Sequence, residues 1–154
     1  IRDGRLETMS WYPELTRYDP NRCPSSLALG DYDGDGSQEL AVSLYQGGGT
    51  GVNANELCIF ELEGSSFGAC AAFTDEVYRP LVEEALEELG LADKSYDYGS
   101  WISFELYGGR ISMELALDAP AVPPMSVYEA SLRARVLYNG ASFSLSGVSV
   151  EQIE

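Results

Sequence analysis

Two glycine-centred turns constrain the fold of this chain more than any other feature. Gly108-Gly109 separates residues 101–107 from 110–117, and Asn139-Gly140 separates residues 127–138 from 141–150. Glycine and asparagine tolerate the positive φ that a two-residue hairpin turn needs, and the flanking runs alternate apolar with polar residues. With a two-residue turn at Gly108-Gly109, Leu106 faces Ile111, Phe104 faces Met113 and Ile102 faces Leu115. All six side chains then share one face, so the register buries a complete apolar set. The same turn at Asn139-Gly140 predicts Val136 facing Phe143 and Ala134 facing Leu145.

Further strands are expected at residues 26–30, 40–45, 57–62 and 67–73, with a turn at 63–65. Residues 46–55 read as a long Gly-rich loop, a flexible connection lying beside the acidic loop that precedes residue 40. One helix pattern follows. Thr74 is a candidate N-cap, and Val77, Leu81, Ala85 and Leu89, with Leu86, make an apolar stripe. Pro80 predicts that the regular helix begins near Arg79, and Gly90 is a natural stop. The expected class is α+β, a mainly antiparallel sheet built from hairpins with one amphipathic helix at about residues 75–90.

The 154 residues fit a single domain, residues 1–154. Residues 1–22 are expected to be a loose N-terminal segment whose aromatics pack on the main body, and residues 119–124 a Pro-rich connection. The first residue is Ile1 rather than Met, which suggests a processed start, and no secretory signal is visible. No run of about 18 apolar residues suggests a membrane span.

Charge and composition exclude several function classes. Twenty-five acidic residues against nine basic ones give a formal charge of −16, which disfavours nucleic acid and anionic membranes as partners. The chain has no histidine, which removes the Ser-His and Cys-His dyads and the commonest zinc ligand. A hydrolase using a carboxylate pair has no motif to support it, and the expectation is no enzyme. Three cysteines leave at least one thiol unpaired within the chain. Cys58 and Cys70 flank a hairpin and face each other only across a bulge, so free, partly buried thiols are expected.

Residues 31–39, Asp31-Tyr32-Asp33-Gly34-Asp35-Gly36-Ser37-Gln38-Glu39, carry the clearest chemistry. Carboxylates fall at positions 1, 3, 5 and 9, and the glycines sit where the chain must bend. Calcium takes six to eight oxygens, and four converging carboxylates repel one another without a cation. The expected ligands are Asp31, Asp33, Asp35, the Ser37 carbonyl and Glu39, with Ca2+ favoured over Mg2+ because Mg2+ keeps its waters. An acidic surface turn is the plainer alternative. The loop is not an EF-hand, since position 12 is Val42 and a strand-like run follows instead of a helix.

The stretch Asp31 to Val42 resembles the D-x-D-G-D-G-x-x-D/E-L-A-V pattern of FG-GAP and VCBS-type repeats, with Glu39 at the commoner Asp. The Gly47–Val52 stretch and the strand after it also look like secreted or surface proteins of gut-type Gram-positive bacteria that hold one such repeat. The likeness covers roughly residues 26–62. It implies that the matched acids are calcium ligands and that the chain is extracellular or anchored at the cell surface. One acidic loop is too few for a propeller of about four to eight blades. The function expected is a non-catalytic extracellular module with one structural calcium. The alternative is a glycan- or peptide-binding module using Trp101, Tyr107, Tyr128 and Tyr138, provided they share an outer face. The Gly-rich stretch lacks the G-K-[ST] ending of a phosphate loop and no helix follows it.

Overall fold

A computed structural model describes residues 26–49, 52–63, 66–119 and 128–153. The N-terminal segment, the connection at 120–124, Cys23 and part of the turn at 63–65 lie outside the described residues. The elements are β1 Ser26–Gly30, β2 Glu39–Gly49, β3 Val52–Glu63, β4 Ser66–Phe73, α1 Asp75–Glu88, a short 3-10 turn Ala92–Lys94, β5 Asp97–Tyr107, β6 Arg110–Asp118, β7 Tyr128–Tyr138 and β8 Phe143–Gln152. The fold is α+β as expected, with one mixed, mainly antiparallel sheet and one α-helix among the described residues.

The strands form one sheet in the order β1-β2-β3-β5-β6-β7-β8, with β4 also paired to β3. β3 is long enough to serve two partners on one side. Its start pairs in parallel with β5 through Asn53 and Ala54, and its remainder pairs antiparallel with β4. The sheet folds over on itself there. Phe73 of β4 packs 6.0 Å from the Phe104 ring of β5 and 5.1 Å from the Phe143 ring of β8, which a flat sheet would hold apart. Ala41, Leu57 and Ile59 from one half meet Ile111, Met113, Leu115 and Leu132 from the other in the main core. A second apolar cluster, Val42, Cys58 and Phe60, lies on the opposite face of β2 and β3.

The β5–β6 register matches the expectation pair for pair, and Tyr107 faces Arg110 across the Gly108-Gly109 turn. The β7–β8 hairpin corrects it. Val136 faces Leu145 and Tyr138 faces Phe143, so the loop has four residues, not two. The Asn139 side chain causes this: its Oδ1 accepts the N–H groups of Ala141 and Ser142 at 3.0 and 2.8 Å, closing an Asx turn over Gly140. A slip of two residues keeps side-chain parity, so Phe143 and Leu145 still pack against the core.

The helix also departs from its reading. It starts at Asp75 and runs through Pro80, which is exposed. Glu76, whose carbonyl loses its partner to the proline, is exposed too, so water replaces that bond. Thr74 does sit at the N-cap, but through its carbonyl, which accepts from Val77 and Tyr78, and without a side-chain bond. The buried stripe is Tyr78, Val82, Ala85 and Leu86, while Leu89 is exposed. Tyr78 opens the stripe, with its ring 6.0 Å from that of Phe73. The C-terminus closes as a Schellman motif, with Gly90 N–H bonded to Glu87 O and Leu91 N–H to Leu86 O.

The Gly-rich segment is mostly not a loop. β2 extends through Gly49, and Gly47, Gly48 and Gly49 pair with Ala54, Asn53 and Val52 after a bulge at Tyr45. A Cβ on Gly48 would run into the Tyr45 hydroxyl and the Val52 carbonyl, so only glycine admits this close approach. These glycines lie about 30 Å along β2 from the acidic loop, not beside it. Cys58 faces Ala72 while Cys70 faces Phe60, so the two free thiols sit diagonally on neighbouring strands. A thiol–thiol hydrogen bond, with burial, pushes Cys58 up, and the same bond holds Cys70 down against its own burial.

Candidate metal centre

The acidic loop joins β1 to β2, so it is a strand–loop–strand arrangement as the sequence indicates. Gly34 and Gly36 adopt φ values of +81° and +92°, which places both glycines where only glycine is unstrained. The loop is held by its own carboxylates. Asp31 accepts Gly34 N–H at 2.7 Å and Gly36 N–H at 3.1 Å, one on each oxygen. Asp33 Oδ1 accepts Asp35 N–H at 3.0 Å, and Asp35 Oδ1 accepts Ser37 N–H at 2.6 Å. Successive side chains alternate, so Tyr32 points inward between two acids. It is buried in the main core and its hydroxyl donates to Ala28 O.

Asp31, Asp33 and Glu39 each bring one carboxylate oxygen within 4.8 Å of the others. The structure does not bring Asp35 into that group. Its carboxylate and Ser37 are instead engaged in the local turn, on the exposed side of the loop. Glu39 differs from the rest because it starts β2 and is fully buried. Its Oε2 accepts Tyr32 N–H at 2.6 Å, while its Oε1 has no hydrogen-bond partner. Burial, reinforced by the charges of Asp33 and Glu61 and opposed by backbone hydrogen bonds from Tyr32 and Asp33, raises its proton affinity above that of an ordinary carboxylate.

Glu61 was not legible as part of this site. It faces Glu39 across β2–β3, and its Oε1 accepts the Tyr138 hydroxyl at 3.0 Å. Burial and that bond push the Tyr138 phenol up to about 12. Two turns from distant sequence also close on the loop. A Cβ on Gly109 would lie 2.8 Å from Asp31 O, and one on Gly140 would lie 2.9 Å from Asp33 Oδ2. Both glycines have positive φ as well, so each turn serves its hairpin and its contact with the loop. Only the Asn-Gly and Gly-Gly dipeptides hinted at this, and they were legible as turns, not as neighbours of the acids.

Of the four aromatics considered for a platform, Trp101 and Tyr107 are exposed on the outer face of β5, and Tyr128 meets Trp101 edge to face at 6.2 Å. Tyr138 is buried on the core side and leaves that set. Among the described residues no helix is long and apolar enough to cross a membrane. The chain matches no protein-family model, no curated protein and no solved structure.

Proposed function

We propose that this chain is a non-catalytic extracellular module in which one calcium ion pins the loop between β1 and β2. The observation that carries this reading is Glu39: a fully buried carboxylate with one oxygen unpartnered, grouped with carboxylate oxygens of Asp31 and Asp33. A buried charge of this kind is costly without a partner, and the structure surrounds it with further negative charge. A cation removes both penalties. The donors are all hard oxygens, which suits Ca2+ and not a thiolate- or imidazole-seeking metal.

Asp31, Asp33 and Glu39 supply the protein oxygens. Asp35 and the Ser37 carbonyl, in the same loop on its exposed side, would be the further oxygens it can offer the ion. The ion supplies charge neutralisation and cross-linking, with no reaction. Because Asp31 and Asp33 also touch the turns at Gly109 and Gly140, fixing the loop fixes the tips of two hairpins. Calcium outside cells is abundant enough to fill even a weak site, which fits a secreted or surface-anchored protein. Titration calorimetry and thermal melts with calcium and with chelator test this. Heat of binding and a calcium-dependent rise in Tm are expected; no uptake and an unchanged Tm would overturn it.

A further inference from the structure

The sheet formed by β5 to β8 has an outer face that the core does not use. A groove of about 670 Å³ runs across it. Its lining follows from register. One row crosses the sheet as Glu105, Ser112, Arg135 and Ser146, and the next as Ser103, Glu114, Arg133 and Ser149. Serines between long side chains leave the hollow. The bulge between Arg133 and Arg135, with Gly147 at φ +59°, bends β8 beside it.

The charges here are unusual for this chain. Basic residues are scarce in a protein of formal charge −16. Among the described residues they are Arg79, Lys94, Arg110, Arg133 and Arg135, and the last three fall on the outer face of β6 and β7. Arg133 is engaged by Glu114 at 3.1 Å and Glu151 at 3.2 Å. Arg135 is exposed, lines the groove and has no acidic partner among the described residues. Its guanidinium fork is therefore open to a carboxylate. Around it stand hydroxyls of Ser112 and Ser146 and the carboxylate of Glu105, groups that exchange hydrogen bonds with hydroxyl-rich ligands. Trp101 and Tyr107, exposed at 42% and 62%, mark the two ends of the same face, six residues or about 20 Å apart along β5.

We propose that this groove binds a carboxylate-bearing oligosaccharide, such as a uronate oligomer, with Arg135 holding the carboxylate and Trp101 stacking on a sugar ring. Charge complementarity at one point favours the occupant: Arg135 lines the groove with no acidic partner among the described residues, so it offers a carboxylate one charge-assisted anchor, while Glu105 beside it is left to accept from ligand hydroxyls. A docked helix would need apolar anchors, and the groove side chains are mainly serines and charges. The proposal does not rest on the calcium site.

The test is calorimetric titration with uronate oligosaccharides and with the same oligosaccharides after reduction of their carboxyl groups. Acidic oligomers are expected to bind, with the reduced forms weaker by about tenfold or more, the loss of a charge-assisted bidentate pair. Arg135→Ala abolishes that difference, and Trp101→Ala weakens both forms, while each variant keeps the parent melting temperature. Amide shift mapping on the unaltered protein gives a readout free of folding effects, with shifts at Ser112 and Ser146. No binding at millimolar sugar, equal affinity for reduced and acidic forms, or shifts confined to residues 31–39 would overturn the proposal. So would an acidic peptide competing through Arg135 where the sugars fail.

Discussion

Replacing Glu39 by Gln separates the two roles of that carboxylate. The amide has the same shape and still accepts Tyr32 N–H, but it carries no charge. In wild-type protein without calcium, Glu39 faces the carboxylates of Asp31 and Asp33 with oxygens within 4.8 Å. At that distance each pair repels by about 1 kcal/mol with the screening of water, and by about 3 to 4 kcal/mol at a more protein-like dielectric. Asp31 is exposed, so the lower figure applies, and Glu39→Gln relieves about 2 kcal/mol over two pairs. For a chain of this size that is a rise in Tm of about 4–8 °C in chelator. With calcium the difference closes. At about 100 times Kd, calcium stabilises the wild type by about 2.7 kcal/mol, or about 5–10 °C, and the variant loses most of that gain. Differential scanning calorimetry of both proteins in chelator and in calcium reads all four values. The reasoning is refuted if Glu39→Gln keeps the full calcium shift, or if it melts lower than wild type in chelator.

Three further outcomes are expected. Glu39 has a raised pKa in the folded state, so its ionisation costs stability: metal-free protein gains stability as pH falls toward the ordinary carboxylate range, whereas the calcium-bound protein loses it as protons displace the ion. Urea melts between neutrality and about pH 4.5 check this, above the region where Asp75, whose pKa is lowered, gives up its own contribution. Gly140→Ala forces a side chain into φ +84° and against Asp33, so it lowers stability by about 1–3 kcal/mol and weakens calcium binding, read by melts and calorimetry; a Tm equal to wild type in both conditions would count against the contact. Mild oxidation of the native protein forms no Cys58–Cys70 bridge: the thiols touch, but their backbones are diagonal on β3 and β4, about 7–8 Å apart, and closing a disulfide needs a shorter Cα span. Alkylation under denaturing conditions followed by mass analysis would find such a bridge if this geometry were wrong.

Local rules carried a large part of the fold. Alternation around Gly108-Gly109 was enough to set the β5–β6 register, because a two-residue turn leaves one alignment that buries both apolar faces. The acidic loop was legible for the same reason: its carboxylates and glycines lie within nine residues, and loop geometry is a local matter. The errors lie where a side chain overrode a rule. Asn139 caps its own loop and lengthens it, Gly48 makes room for the Tyr45 hydroxyl in a stretch that pairs as strand, and packing on Phe73 turns the buried stripe to Tyr78, Val82, Ala85 and Leu86.

The sequence by itself determined that residues 31–39 hold acids and glycines at calcium spacing between two strands. Only the tertiary structure decided which acids meet. Asp31, Asp33 and Glu39 converge because Glu39 opens a buried strand and Tyr32 anchors the loop inward, while Asp35 stays on the wet side. Only the folded sheet brings Glu61, Tyr138 and the turns at Gly109 and Gly140 against that loop, since strands far apart in the chain become neighbours through long-range pairing that no short window of sequence encodes.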